Sequence, residues 1–299
     1  MNNLSPDPDS RPPRPPNERS GLLLVVLVVV ALAGVFGWRH FSGSGEPPPA
    51  LPTKDPSSAM PAAPPAGDAG ANATDAPSVP RDPVEPTEAT AGEAPAPEGA
   101  VPWLVNQLVA LLGREQVSTW VQTDELIRRI VATVDNLDSG HAAPALWPVH
   151  PTPGRFSTQA GAGGIESIQP ANAARYAPAV RMATSVDLDQ LVAAYRRLYP
   201  QFQSTYEALG YPGRYFNDRL VAVLDHLIAT PVPAALPLVV LVEVKGPVPS
   251  TRPWVRYEFA DPALARLSAG QKMLLRTGPD QQRQLQGVLS QLRARVARP

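Results

Sequence analysis

An uninterrupted apolar stretch near the N-terminus constrains this chain most strongly. From Gly21 to Trp38 the sequence reads GLLLVVLVVVALAGVFGW, without a charged residue. A helix needs about 20 apolar residues to cross the hydrocarbon of a bilayer, since each residue adds about 1.5 Å. Trp38 and Phe41 stand at one end, where aromatic rings favour the headgroup region. We therefore predict a transmembrane helix over residues 21–41, with the lipid bilayer as its partner.

The basic residues around this stretch predict its orientation. Three arginines precede it, whereas Arg39 is followed mainly by acidic residues. Because basic flanks favour the cytoplasmic side, we expect residues 1–20 to form a disordered cytoplasmic tail and the rest of the chain to lie outside the cytoplasm. A cleaved signal peptide is the alternative, since Ala31-Leu-Ala33 resembles a cleavage site. The apolar run is longer than a usual signal peptide, which favours the uncleaved anchor.

The composition changes sharply after the apolar stretch. Residues 46–100 contain 14 prolines, nine acidic residues and no aromatic residue. Such a segment has too little apolar surface to form a core, so we predict that residues 42–100 are a disordered, extended linker. The net charge is −7 over residues 46–100 and +5 over residues 101–299. A moderately basic domain thus follows an acidic tether.

The chain contains no cysteine, which excludes disulfide bonds, thiolate metal sites and cysteine nucleophiles. The roughly 200 residues after the tether are enough to bury about 70% of the surface of the unfolded chain. We therefore expect residues 101–299 to fold as one domain on their own core, with no metal and no cofactor. No dense run of basic residues occurs, and we expect no nucleic-acid partner.

Hydrophobic periodicity predicts several helices in this domain. Apolar stripes at helical spacing run through residues 101–113, 123–140, 187–210, 215–228, 261–275 and 280–296. Thr123 and Asp280 are the predicted N-caps of two helices, and Asp187 forms a predicted capping box with Gln190. The stripe from Leu188 to Leu209 is largely aromatic, and we interpret it as core rather than as a ligand-binding ladder.

The predicted fold class is α+β, mainly α. Residues 141–184 break the helical pattern with prolines and glycines, which predicts a long irregular connection with short strands at residues 155–158 and 165–168. Leu238–Val244 and Trp254–Phe259 are predicted to form a small antiparallel β-hairpin. The prediction is a helix-rich domain carrying this hairpin, preceded by one transmembrane helix and a disordered linker.

Motifs of familiar hydrolases and phosphate-binding proteins do not occur, among them G-x-S-x-G, H-E-x-x-H and G-x-x-x-x-G-K-[ST]. Ser268 and Lys272 are four residues apart and could face each other on a helix as a dyad. Asp218 and Asp225 share one helical face at a separation of about 10 Å. A metal or acid–base site there would need partners from the irregular connection, such as His141 or His150.

Polar residues on the predicted helices and in the long connection are the candidate binding residues. No catalytic residue is assigned. Helix caps, ion pairs and contacts that pin the connection are the structural alternative for all of them. The candidates are Arg128, Arg129, Asp135, Asn136, Arg175, Tyr176, Asn217, Asp218, Arg219, Asp225, His226, Gln271 and Lys272.

Three strings carry a resemblance to a known family: LIRRIVATVDNL from Leu126, YFNDRLVAVLDHLIATP from Tyr215 and SAGQKMLLR from Ser268. They are similar to an uncharacterised proteobacterial family, domain of unknown function family 3014, and the likeness extends over residues 101–299. The resemblance implies a single-pass protein anchored in the bacterial inner membrane, with no established activity. It transfers no catalytic residues.

Two hypotheses about function follow. The membrane anchor, the long tether and the missing motifs favour a non-catalytic binding or scaffolding module of the cell envelope, placed in the periplasm, with an envelope protein as its partner. The alternative is a hydrolase or other enzyme that acts on an envelope substrate through Asp218, Asp225 and His226, with Ser268 and Lys272 as a further candidate pair.

Overall fold

The computed structural model describes residues 79–84, 95–242 and 253–297. The predicted cytoplasmic tail, the predicted transmembrane helix and most of the predicted linker lie outside these ranges. Within them, every helix is too short or too polar to cross a bilayer.

The folded part combines helices with one small sheet. The helices, in chain order, are α1 (Pro97–Leu112), α2 (Arg114–Trp120), α3 (Leu126–Asn136), α4 (Ala171–Thr184), α5 (Leu188–Ala208), α6 (Phe216–Ile228), α7 (Pro262–Ala265), α8 (Ala269–Thr277) and α9 (Pro279–Val296). The strands are β1 (Thr158–Ala160), β2 (Ile165–Ile168), β3 (Leu238–Leu241) and β4 (Tyr257–Phe259), and short 3-10 turns lie at Pro144–Leu146, Ala162–Gly164 and Pro253–Val255.

The main core lies between helices. α9 packs against α4, α5, α6 and α8, while α3 packs against α5 and α6. The predicted apolar stripes of α3 and α6 are buried, which confirms those assignments. Phe202 of α5 stacks on Phe216 of α6 with ring centroids 5.7 Å apart. The predicted core role of the aromatic stripe is therefore confirmed, although Tyr199 is only partly buried and Leu209 is at the surface.

The sheet has four antiparallel strands in the order β1-β2-β3-β4. Val239 of β3 lies opposite Phe259 of β4, and both pack with Leu275 of α8 in a second, smaller core. The predicted hairpin is present as β3–β4, but two further strands join it. Residues 243–252, which connect β3 towards β4, lie outside the described residues. Trp254 and Val255 belong to a 3-10 turn rather than to the predicted strand.

Two helices were not predicted from the sequence. α2 follows α1 directly after Gly113, and α4 occupies residues expected to be irregular. α4 contains Pro178 and follows Pro170. Because proline lacks a backbone N–H donor and usually interrupts a helix, these two residues led to the prediction of irregular structure. Of the two short strands predicted in the connection, β2 lies where it was expected and β1 begins three residues later than predicted.

Three predicted boundaries are also wrong. α1 begins at Pro97, so the predicted linker does not extend to residue 100. α3 begins after Glu125, whose backbone is left-handed, rather than at a Thr123 cap. α9 begins at Pro279 after Gly278, which places Asp280 inside the first turn instead of at the cap. Proline is suited to the first helical position because it has no N–H to leave unpaired.

Gly270, near the start of α8, lies against the C-terminal end of α3. Its N–H donates to the Leu137 carbonyl at 2.8 Å, and the neighbouring Ala269 N–H donates to the Ser139 carbonyl at 2.7 Å. A Cβ at position 270 would lie 2.8 Å from the Leu137 carbonyl oxygen and 2.6 Å from the Leu227 side chain. Only glycine allows the two helix ends to approach this closely.

We expect Gly270→Ala to lower the free energy of unfolding by roughly 1–3 kcal/mol, because the carbonyl of Leu137 must move to admit the methyl group. Gly287→Ala is the matched control, since Gly287 lies in exposed helix with open space around it and alanine there should stabilise by about 0.5–1 kcal/mol. Denaturant unfolding of both variants checks this. Equal stability of Gly270→Ala and the wild type would contradict the close contact.

Candidate functional site

The candidate residues fall into separate groups rather than one constellation. Asn217, Asp218 and Arg219 begin α6, and Asp225 with His226 lies near its end. The remaining candidates lie on α3, α4 and α8. The contacts of each group decide whether it holds a ligand or joins parts of the fold.

Asp218 binds the chain's own proline-rich region. Its two carboxylate oxygens accept hydrogen bonds from the backbone N–H groups of Arg81, at 3.1 Å, and Asp82, at 2.9 Å. Val84 packs against the main core. Residues 79–84, called the docked segment below, are therefore held on the surface of the domain. This stretch was predicted to belong to the disordered linker.

Asn217 also binds the docked segment. Its side-chain amide donates to the carbonyl of Asp82 at 2.8 Å and to the carbonyl of Val296, at the end of α9, at 2.9 Å. Its amide oxygen accepts from the Tyr195 hydroxyl at 2.9 Å. Burial raises the pKa of Tyr195 well above its usual range, so this hydroxyl remains a donor. Asn217 is fully buried and links α5, α6, α9 and the docked segment.

Arg293 of α9 completes this surface. Its guanidinium donates to both carboxylate oxygens of Asp225, at 2.9 and 3.1 Å. The hydrogen bonds and charge of Asp225 raise the pKa of Arg293, and the carboxylate of Asp82 adds to the effect. Asp82 therefore contributes its negative charge near a basic residue of the domain. We call Asn217, Asp218 and Arg293 the docking site.

Arg219 joins α6 to the end of α3. It donates to Asp135 at 2.9 Å and to both oxygens of Asp138, at 2.6 and 2.7 Å, and also to the Asp135 carbonyl. Burial opposes its charge, but these two carboxylates raise the pKa of Arg219 above its usual value. The Tyr211 hydroxyl donates to Asp135 at 2.8 Å. Asp135 and Arg219 thus form a structural clamp, since two carboxylates at a helix C-terminus need a cation.

His226 and Gln271 belong to the cap of α8. The His226 Nε2 atom lies 2.9 Å from the Ser268 hydroxyl, which also accepts from the Gln271 backbone N–H. Gln271 donates to the His226 carbonyl. The N–H groups of the first three residues of α8 are all hydrogen-bonded, so they are not available to stabilise an oxyanion at Ser268. The Ser268–His226 pair is a cap that joins α6 and α8.

Lys272 does not form the dyad with Ser268 that its spacing allowed. Its ammonium donates to the Ala265 carbonyl at 3.3 Å. Burial lowers the pKa of Lys272, and the charge of Arg276 lowers it further. The Ser268 hydroxyl contacts His226 and the backbone of Gln271 instead.

The arginines on α3 and α4 hold loops and turns. Arg129 donates to the Ala145 carbonyl at 2.6 Å and to the Asp124 carbonyl at 2.8 Å, while Arg128 pairs with the exposed Glu125. Arg175 donates to the carbonyls of Pro153 and Gly154.

The last two candidates serve the fold locally. Asn136 donates to the Ala132 carbonyl within α3 at 2.7 Å, and Tyr176 is buried in the core beneath the Arg175 guanidinium. Neither lies at the docking site.

Among the described residues, neither histidine of the connection forms a hydrogen bond with the polar face of α6. His150 borders an open cleft of about 480 Å³ beside α1 and α2, with Val105, Val109 and Val117 among its lining residues. His141 follows the end of α3, where the Ser139 hydroxyl donates to its carbonyl. In the part of the chain that the structure describes, no group of three or more histidine or acidic residues could hold a metal ion.

Sequence reasoning identified Asn217 and Asp218 but missed what they bind. One signal was present: Val79 and Val84 are the only valines between residues 46 and 100. Val84 is the one that packs on the domain, whereas Val79 is 85% exposed. Arg293 was missed because its pairing with Asp225 joins residues far apart in the chain.

We expect Arg219→Ala to lower the free energy of unfolding by roughly 2 kcal/mol. Its side chain is 25% exposed and that of Asp135 15%, so its removal leaves two poorly solvated carboxylates without their partner. Arg283→Ala is the control, because Arg283 pairs with Asp280 on an exposed helix face and should change stability by less than about 0.5 kcal/mol. Thermal and denaturant melting check both, and equal losses would contradict the clamp.

Comparison with known proteins places the chain in one family. No curated protein and no solved structure matches it. A family profile described as "Protein of unknown function (DUF3014)" matches residues 126–293, which contain α3 to α6, the sheet and most of α9. The match includes Asn217, Asp218 and Arg293 but not the docked segment. The match confirms the resemblance found in the sequence, over residues 126–293 of the 101–299 that the resemblance covered. Because the profile spans more than half of the 299 residues, the chain belongs to this family of proteins of unknown function.

Proposed function

We propose that this protein is a membrane-anchored, non-catalytic binding module of the bacterial cell envelope. Residues 21–41 span the inner membrane, and the folded domain lies in the periplasm, where it holds an envelope protein. The observation that carries the proposal is the docking site: the domain binds a non-helical stretch of polypeptide through Asn217 and Asp218.

The contacts of the polar residues on α6 also support binding over catalysis. The hydrolase hypothesis needed Asp218, Asp225 and His226. Asp218 accepts from the docked segment, Asp225 pairs with Arg293, and His226 contacts the cap of α8. Each of these groups joins two parts of the fold, so the geometry gives no argument for a reaction.

The proposed location rests on the sequence. The apolar stretch from Gly21 to Trp38 has the length of a membrane span, and the basic residues that precede it favour an N-terminus in the cytoplasm. A domain placed outside the cytoplasm and made without cysteine needs no oxidative step to fold.

A reporter fused after Pro299 tests this location. We expect an alkaline phosphatase fusion to be active, because that enzyme needs the oxidising environment outside the cytoplasm, and we expect the chain to remain in salt-washed membranes. An inactive phosphatase together with an active cytoplasmic reporter would reverse the topology. Release of an active fusion from the membrane would favour the cleaved signal peptide instead.

Crosslinking in cells tests the binding role. A photo-crosslinking amino acid at Ala222, which is exposed on α6 between Asp218 and Asp225, should capture one defined envelope protein. Asp218→Asn should reduce that capture at least about tenfold, because an amide nitrogen cannot accept the backbone N–H. Asp280→Asn is the matched control: Asp280 also lies in the first turn of a helix but pairs with Arg283. Absence of any specific partner for an exported, folded chain would contradict the proposal.

A further inference from the structure

The docked segment resembles a bound ligand in its contacts. It is irregular rather than helical, with a bend at Arg81 and Asp82, and its contacts come from side chains of α6 and from the core surface. We infer that the docking site is a peptide-binding site whose resident ligand is residues 79–84 of the same chain, and that a proline-containing segment of a partner protein binds there by displacing it. This inference rests on the proposed binding function and names its ligand class.

The pattern of prolines explains what the site recognises. In Pro80-Arg-Asp-Pro83 only Arg81 and Asp82 have a backbone N–H. Both of these N–H groups bond to the carboxylate of Asp218. The prolines on either side restrict the backbone of the free segment, so the segment loses less conformational entropy when it binds. The site therefore selects two successive amide donors enclosed by prolines.

Side chains contribute a smaller share of the recognition. Arg81 is exposed, and the contacts above use its backbone. Asp82 brings a negative charge towards Arg293, and Val84 packs on the core. The ligand is thus a bent segment with two non-proline residues, followed by proline and a branched apolar residue. The identity of the first of these two non-proline residues, which is Arg81 in the resident segment, matters little.

The resident segment competes with a partner segment because a short stretch of chain connects the resident segment to the domain. Ten residues, 85–94, separate the docked segment from Pro95, whose carbonyl accepts from Gln201 of α5 at 2.9 Å. A short connection gives the resident segment an effective concentration on the order of millimolar. The bound resident segment lowers the apparent affinity of every competing ligand by the same factor, because only the fraction of sites that it leaves free can bind. Ligands of high intrinsic affinity can still occupy the site.

Peptide binding to the full chain tests the inference. The probe is a fluorescent peptide with the sequence of residues 79–84, and its anisotropy is measured with two proteins: the intact chain and a chain in which residues 79–84 are replaced by a Gly-Ser repeat of equal length. We expect the replaced chain to bind the peptide at least about tenfold more tightly, because its site is not occupied in cis.

Two peptide variants and two protein variants test the chemistry. A peptide with Arg81→Ala should bind within about twofold of the parent, whereas one with Arg81→Pro should lose at least about tenfold, since it lacks one donor to Asp218. In the replaced chain, Asp218→Asn should weaken binding to a similar extent, and Asp280→Asn should not. Should the replaced chain fail to melt cooperatively, Arg81→Pro in the intact chain removes the same donor from the resident segment and should raise the affinity for the added peptide.

Several results would overturn the inference. The first is that the replaced chain folds but does not bind the peptide. The second is that the intact and replaced chains bind the peptide equally, and the third is that the Arg81→Pro peptide binds as tightly as the parent peptide. A dimer of the intact chain that dissociates when the segment is replaced would show that a second copy, rather than the same chain, supplies the resident ligand. Peptide binding without any captured envelope protein would uphold the site and refute the proposed binding module, so the two failures are distinguishable.

Discussion

The side-chain amide of Asn217 lies at the point where α5, α6, α9 and the docked segment meet. An asparagine amide has one oxygen that accepts and one nitrogen that donates two hydrogen bonds. In this fold the oxygen accepts from Tyr195, and the nitrogen donates to the carbonyls of Val296 and Asp82. A fully buried polar group stabilises a structure only when its donors and acceptors are all hydrogen-bonded. Each buried donor or acceptor that lacks a partner costs roughly 1–3 kcal/mol of desolvation free energy. The arrangement of the helices and the position of the docked segment therefore depend on each other through one residue.

The ends of helices account for most of the remaining polar contacts. The N–H groups at the start of α8 donate to carbonyls that follow α3, and the Ser268–Gln271 capping box completes the same junction. Arg219 neutralises the acidic end of α3. Helix termini expose unpaired donors and acceptors, and in a domain of packed helices these termini meet in the interior. For this reason, polar side chains on α3, α6 and α8 resemble binding or catalytic residues when only the sequence is considered.

The sequence was sufficient for features that depend on local pattern. The apolar stripes of α3, α5 and α6, the Asp187 cap and the β3–β4 pairing all follow from spacing along the chain. What it could not supply depends on contacts between distant residues: Arg293 with Asp225, Arg219 with Asp138, and Asp218 with Arg81. α4 was missed for a related reason, since tertiary packing keeps it helical despite Pro178. Within the residues that the structure describes, only Asn217 and Asp218 of the candidates contact anything other than the helical domain and its own loops.

The docked segment changes where the tether leaves the folded domain. From composition alone, the domain begins at residue 101, but α1 begins at Pro97 and residues 81–84 already contact α6 and the core. The exit point is therefore beside the first turn of α6, at the exposed Val79. Recognition through backbone N–H groups makes this attachment depend on the prolines of the tether more than on its side chains, because proline decides which residues can donate. A composition that cannot form a core can thus still encode a specific contact.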